Sequence, residues 1–395
     1  MSRDTAQTHA DGTPERLGRY RLVRPLSTGG MAHVFEGRRE SLAGVAPRVA
    51  IKVILPEYAK DDGFQKLFRN EAVVGSQLHH QNIVQIQDFD FADGRLYLVM
   101  EYVDGITLRR VVNVCRKHGI AIPLELVLEI GRQVCDGLRY AHQAPGEDGK
   151  PLGLVHRDVK PSNLMINPQG VVKLLDFGIS VALAGANDEA VRGTWGYMSP
   201  EQAAAEPLDA RSDLFGVASV LYELAALDTL FPEKEPDDIR ALMARDEAAR
   251  RANALTGAYG PLAPILVRAL QRDPDARFAT AQAMGKALTA LLPDPVLARE
   301  HLARFQAQMM DLAEGGAGPA RERPRSSSTL AAPAPALPVS AGNALHVFRL
   351  QSAKRQRDPA RDRFLIQLSA VVVLSIVLGI TAFFGFRAVT EYVRN

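Results

Sequence analysis

The segment His156–Asn163, HRDVKPSN, sets a carboxylate, an ammonium and a side-chain amide within eight residues, and Asp176-Phe177-Gly178 follows with its aspartate thirteen residues after Asn163. Short strands read from NLMINPQG and VVKLLDFG lie between and beside them. The residue types suit phosphoryl transfer. Asp158 is expected to orient an acceptor hydroxyl and take its proton, and Lys160 to neutralise charge on the moving group. Asn163 is expected to bind a second Mg²⁺, and Asp176 to bridge Mg²⁺ to phosphates, because hard oxygen donors match a hard cation.

Upstream, the chain reads as a small strand-rich unit. RYRLVRPLSTGGMAHVFEGRR gives strand, glycine turn, strand, and RVAIKVIL gives another strand. Within LSTGGMAHV, Leu26 to Val34, only Gly29 and Gly30 are glycine; Ser27 and Ala32 take the outer positions of a phosphate-cradling turn and are small enough for close approach. Lys52 ends VAIK on a strand, where it can reach the α- and β-phosphates of a nucleotide. Glu71, nineteen residues on in the helical stretch FQKLFRNEAVVGSQL, is placed to hold that lysine by an ion pair. NIVQIQDFDFADGRLYLVMEYV reads as a hairpin turning at Asp93-Gly94.

After Gly105 the pattern becomes helical, through LRRVVNVCRKHG, PLELVLEIGRQVCDGLRYAHQ, SDLFGVASVLYELAAL, PDDIRALMARD, APILVRALQRD and TAQAMGKALTALL. The organisation expected is a flexible N-terminus over 1–18, a domain over 19–292 with lobes 19–103 and 104–292, and a polar helix over 293–312. A Pro/Ala-rich linker with a basic end follows over 313–363. The run from Phe364 to Phe386 carries no charge and is long enough, at about 1.5 Å per residue, to cross a hydrocarbon core of about 30 Å. Arg349, Lys354, Arg355, Arg357, Arg361 and Arg363 precede it, against Arg387 and Arg394 after it. That asymmetry places the upstream side in the cytoplasm and the tail 387–395 across a plasma or inner membrane, as a single-pass protein held to the bilayer by its C-terminal helix.

Composition removes other classes. A formal charge of +2 is too small for a primary nucleic-acid partner. The two cysteines, Cys115 and Cys135, have no metal-ligand spacing and read as reduced core thiols. The first twenty residues contain no apolar run, so no secretory signal is expected.

With these motifs in order, residues 20–292 resemble the bacterial eukaryotic-like serine/threonine protein kinases of the transmembrane type. The resemblance implies an α+β, two-lobed kinase fold, with a β-rich N-lobe and a larger helical C-lobe, that uses ATP and Mg²⁺ (or Mn²⁺) on protein substrates. It extends to GTWGYMSPEQ, Gly193 to Gln202, similar to the substrate-facing loop and the A-P-E segment with Ser199 in place of alanine. It implies that Asp213 braces the catalytic loop, that Arg277 pairs with Glu201, and that Phe177 and Gly178 complete the metal-binding motif. Met100 falls at the gatekeeper position, with Glu101 and Val103 on the hinge. Leu26, Ser27, Gly29, Gly30, Val34, Ala50 and Lys52 are then counted among the nucleotide-contacting residues. Lys160, two residues after Asp158, together with Thr194 implies serine and threonine as acceptors. A pseudokinase scaffold and a small-molecule kinase are the alternatives. Retention of Lys52, Glu71, Asp158, Asn163 and Asp176 argues against the first, and the S-P-E segment, Thr194 and Lys160 against the second.

One departure bears on regulation. Between Gly178 and Ser199 the hydroxyl amino acids are Ser180, Thr194 and Tyr197, so VALAGANDEAVRG has no phosphorylatable threonine to pair with Arg157. Asp188 or Glu189 standing in for a phosphate, or activation by a homodimer or partner, are the two expectations. APGEDGKPLG reads as a surface insertion or docking loop, and SSST at Ser326–Thr329 as an autophosphorylation cluster.

Overall fold

The computed structural model describes residues 15–40, 47–55, 58–145, 152–176, 195–231 and 236–315. Six strands form one antiparallel sheet: β1 Arg16–Leu17, β2 Tyr20–Thr28, β3 Ala32–Arg39, β4 Arg48–Ile54, β5 Ile86–Ala92 and β6 Arg95–Glu101, in the order β1-β2-β3-β4-β6-β5. Strand alternation splits β4 between two faces. Val49, Ile51 and Val53 join Phe35, Tyr97 and Val99 in one apolar cluster. Ala50 faces the other way, in a cluster with Met100, Leu98 and the α1 (Asp62–Gln77) residues Phe68 and Ala72. The β5–β6 turn is the expected one: Asp93 and Gly94 both have positive φ, 52° and 74°, the pairing that a two-residue hairpin turn demands.

The second lobe begins with β7 Ile106–Thr107 and α2 Leu108–His118. The Thr107 hydroxyl accepts from the Arg110 amide, and Gly119 (φ 64°) ends α2 in the left-handed conformation that suits glycine. α3 Leu124–His142 runs through the core. β8 Leu164–Ile166 and β9 Val172–Leu174 complete a three-stranded sheet with β7. Helices α4 Pro200–Ala203, α5 Ala210–Ala226, α6 Pro236–Met243, α7 Glu247–Asn253, α8 Ala263–Ala269 and α9 Ala281–Thr289 build the remainder. Cys115 and Cys135 are free and buried; burial pushes their thiols up to about 11 and about 12, so both are protonated and inert at neutral pH.

The segment expected as a polar helix forms α10, Pro295–Ala313, and is amphipathic. Leu302, Phe305, Met309 and Leu312 lie on its buried stripe at helical spacing and join the core of the second lobe. Its charged residues face outward or tie it down: Arg299 donates to the Gln169 carbonyl at 3.2 Å, and Arg110 of α2 donates to the Ala313 carbonyl at 3.2 Å. The backbone of α10 abuts the β8–β9 turn. Gly170 there has φ 69°, and a Cβ on it would stand 2.3 Å from the Arg299 carbonyl oxygen. Gly170→Ala is therefore expected to cost about 1–3 kcal/mol, from backbone strain and displacement of α10. Denaturant unfolding checks this; a variant as stable as wild type would show that α10 can give way freely.

Candidate active site

The loop from Val155 to Asn163 leads into β8, and a buried carboxylate holds its start. Asp213, on the first turn of α5, accepts from the His156 amide (2.8 Å), the Arg157 amide (2.8 Å) and His142 Nε2 (2.7 Å). Arg157 is held at φ 67°, a region costly for a residue with a side chain. Its carbonyl accepts from Gln202 Nε2 at 2.8 Å. His156 turns inward: Nδ1 accepts from the Asp158 amide at 3.3 Å, which leaves Nε2–H to donate to the Leu175 carbonyl at 2.9 Å. The Leu175 amide in turn donates to the Asn163 carbonyl at 2.9 Å. This chain of bonds brings Asp176 beside the loop that carries Asp158 and Asn163.

Asp158 itself is buried, and its two oxygens differ. Oδ2 accepts from Asn163 Nδ2 at 2.7 Å and pairs with Lys160 Nζ at 2.9 Å. Oδ1 is buried with no partner among the described residues. A buried carboxylate oxygen without a donor is costly, and in a native fold it calls for an explanation.

The opposite wall comes from the first lobe. Lys52 Nζ lies 3.3 Å from Asp176 Oδ1, which links the two lobes. Val34 is the direct cross-strand partner of Lys52, and Ala50 that of Met100, so the four residues line one face of the sheet. A bulge between Pro25 and Ser27 sets Leu26 out of register, and the Gly29 amide closes the glycine turn on the Ala32 carbonyl at 3.0 Å, with Gly30 at its tip. Met100 is buried; Glu101 pairs with Lys173 of β9 at 2.8 Å across the hinge, and Val103 packs against the first-lobe core. The Glu71 side chain, Phe177, Gly178, Ser180, Asp188, Glu189 and Thr194 lie outside the described residues, as do 316–395 with the apolar run at 364–386.

Behind the site, Glu201 and Arg277 form a buried bidentate pair at 2.7 Å and 2.7 Å, and the Ser212 hydroxyl adds a third bond to Glu201 at 2.6 Å. Burial pushes the Glu201 carboxyl up, but Arg277 and Ser212 outweigh it and hold it below the usual carboxylate range. Arg277 spends its remaining donors on the carbonyls of Gln271, Arg272 and Arg211.

Asp158, Lys160, Asn163, Lys52 and Asp176, picked from the sequence by spacing, thus converge. The sequence reading passed over His142 and Gln202. For Gln202 a signal exists: Ser199-x-x-Gln202 spells a capping box, and both of its bonds form.

The arrangement has counterparts. Residues 20–288 match the family model described as protein kinase domain. The chain is 36% identical over 282 residues to "Tyrosine-protein kinase MasK" of Myxococcus xanthus, covering 70% of this chain and 43% of that one. It is 32% identical over 381 residues to "Serine/threonine-protein kinase PknB" of Mycolicibacterium smegmatis, covering 93% and 55%. The chain therefore spans about half the length of the curated relatives it matches. The crystal structure of the Mycobacterium tuberculosis PknI kinase domain superposes with a TM-score of 0.52 at 27% identity, over 72% of this chain and 99% of that one. By its two-lobed fold, its convergent site and these matches, the chain belongs to the protein kinase family, among the bacterial eukaryotic-like members.

Proposed function

We propose that the chain transfers the terminal phosphoryl group of ATP to serine and threonine hydroxyls of proteins. The observation that carries this reading is Asp158, with one oxygen fixed by Lys160 and Asn163 and the other buried with no partner among the described residues. The acceptor O–H donates to Asp158 Oδ1. As its oxygen bonds to the terminal phosphorus and the bond to the bridging oxygen of ADP breaks, the proton passes to Asp158. Lys160 stands within reach of the developing charge, and Lys52 anchors the phosphates that stay with ADP.

The donors fit Mg²⁺. Asn163 turns its Nδ2 to Asp158, which leaves Oδ1 for a cation, and Asp176 keeps one oxygen beyond the contact with Lys52. No cluster of three acidic, His or Cys ligands exists among the described residues. One carboxylate and one amide oxygen suit a hard cation that completes its shell with water and phosphate. When bound, Mg²⁺ neutralises phosphate charge. Transfer is expected to vanish under chelation. Asn163→Ala is expected to raise the Mg²⁺ concentration for half-maximal transfer about tenfold, a shift of about 1.4 kcal/mol. Transfer undiminished in excess chelator, or an unmoved Mg²⁺ midpoint, would contradict the assignment.

Serine and threonine as acceptors rest on Lys160 and Thr194. A tyrosine acceptor is the second reading, favoured by the name of the M. xanthus relative. The run at 364–386 is read as one membrane span with the kinase domain on the cytoplasmic side, from its length and the basic residues before it. Among the described residues no helix is long and apolar enough to cross a membrane. Resistance of the full chain to alkaline carbonate extraction tests the span; release into the supernatant would contradict it.

A further inference from the structure

We propose that Gln202 is a positioning residue for the catalytic loop, acting on Asp158 through the Arg157 carbonyl; the proposal rests on the kinase reading above. Arg157 sits at φ 67°, and nothing intrinsic to an arginine favours that conformation. Its peptide groups are instead clamped on both sides. Its amide donates to Asp213 Oδ1 at 2.8 Å, and its carbonyl accepts from Gln202 Nε2 at 2.8 Å. The second clamp matters more for chemistry, because that carbonyl belongs to the peptide plane whose nitrogen is Asp158. Asp158 N–H donates in turn to His156 Nδ1. Rotating the 157–158 plane moves Asp158 Cα, and with it the oxygen reserved for the acceptor hydroxyl.

Gln202 is well placed to hold this plane because its amide is anchored at both ends. Oε1 accepts from the Ser199 amide at 3.1 Å, while the Gln202 amide donates to Ser199 Oγ at 3.3 Å. Oε1 taken as acceptor directs Nε2 to Arg157. The helix that bears Gln202 is itself held by the adjacent residue: Glu201 is locked to Arg277. The S-P-E-Q segment therefore reaches the catalytic loop at the Arg157 carbonyl, where Asp213 makes no bond.

The two halves of the Gln202 amide can be tested apart, because they predict opposite orders. Gln202→Glu keeps an acceptor for the Ser199 amide and is a preferred capping-box residue near a helix N-terminus, but it turns an oxygen toward the Arg157 carbonyl. Gln202→Lys offers a donor to that carbonyl but loses the cap and puts a cation at the helix N-terminus. Positioning predicts that kcat follows wild type > Gln202→Lys > Gln202→Glu, with Gln202→Glu down about 10- to 100-fold and KM for ATP within twofold of wild type. Between the two variants the thermal midpoint runs the other way, Gln202→Glu above Gln202→Lys. A merely structural cap predicts that activity tracks stability, so kcat for Gln202→Glu at or above Gln202→Lys would overturn the proposal. Gln202→Glu with wild-type kcat would overturn it as well. A wild-type chain that binds ATP but transfers nothing would remove the kinase reading first, and this proposal with it.

Discussion

Asp158→Asn is expected to lower kcat by about 10²–10⁴-fold while ATP affinity and thermal midpoint stay near wild type. The reason lies in the asymmetry of the carboxylate. Asparagine can keep its oxygen toward Asn163 Nδ2 and Lys160 Nζ, which are both donors. Its NH₂ then occupies the place of Oδ1, the buried oxygen with no partner among the described residues. A donor stands where the acceptor hydroxyl needs an acceptor, and no group remains to take the proton. Folding loses little, because the fixed half of the network survives. Single-turnover transfer together with nucleotide titration separates chemistry from binding. A variant within tenfold of wild type would mean that Asp158 neither orients nor deprotonates the acceptor.

Arg277→Met is expected to destabilise the fold by about 3–5 kcal/mol, because it leaves Glu201 buried with only the Ser212 hydroxyl. Methionine fills much of the space, so lost packing is the smaller part. The pH dependence identifies the cause. In wild type the Glu201 carboxyl lies below its ordinary range. Its contribution is therefore fully present above the unfolded value of about 4.3 and is lost as pH falls through the folded one. In the variant, burial without the guanidinium raises the carboxyl instead. Protonation then favours the folded state, and the variant gains stability from pH 7.5 toward pH 5 relative to wild type. Urea unfolding at the two pH values measures this. A deficit that stays constant or widens toward pH 5 would show that the loss comes from packing alone.

What the sequence disclosed, and what it withheld, follows the range of the forces involved. Asp158, Asn163 and Asp176 were legible because their chemistry needs a short fixed spacing along the chain. The Asp93-Gly94 hairpin and the helix over LRRVVNVCRKHG were legible because turns and helical periodicity are local. The docking of α10 was not. Its charged and apolar residues alternate along the helix, and its stripe of Leu302, Phe305, Met309 and Leu312 gains meaning only against α2, α3 and the Gly170 turn. Gln202 shows the limit within one side chain: its bond to Ser199 is three residues long, while its bond to Arg157 spans 45 residues. The resemblance supplied Asp213 as a brace, yet the third donor, His142, arrives from α3 and has no sequence mark.

The most direct test of the central claim is phosphoamino-acid analysis after the full chain, in lipid or detergent, is given Mg²⁺ and ATP labelled on its terminal phosphate, with itself and a generic basic protein as acceptors. The account predicts label on serine and threonine that is absent from a parallel Asp158→Asn reaction. Label confined to tyrosine would contradict the acceptor assignment, and nucleotide binding without any protein label would contradict the kinase reading and leave a scaffold that binds ATP.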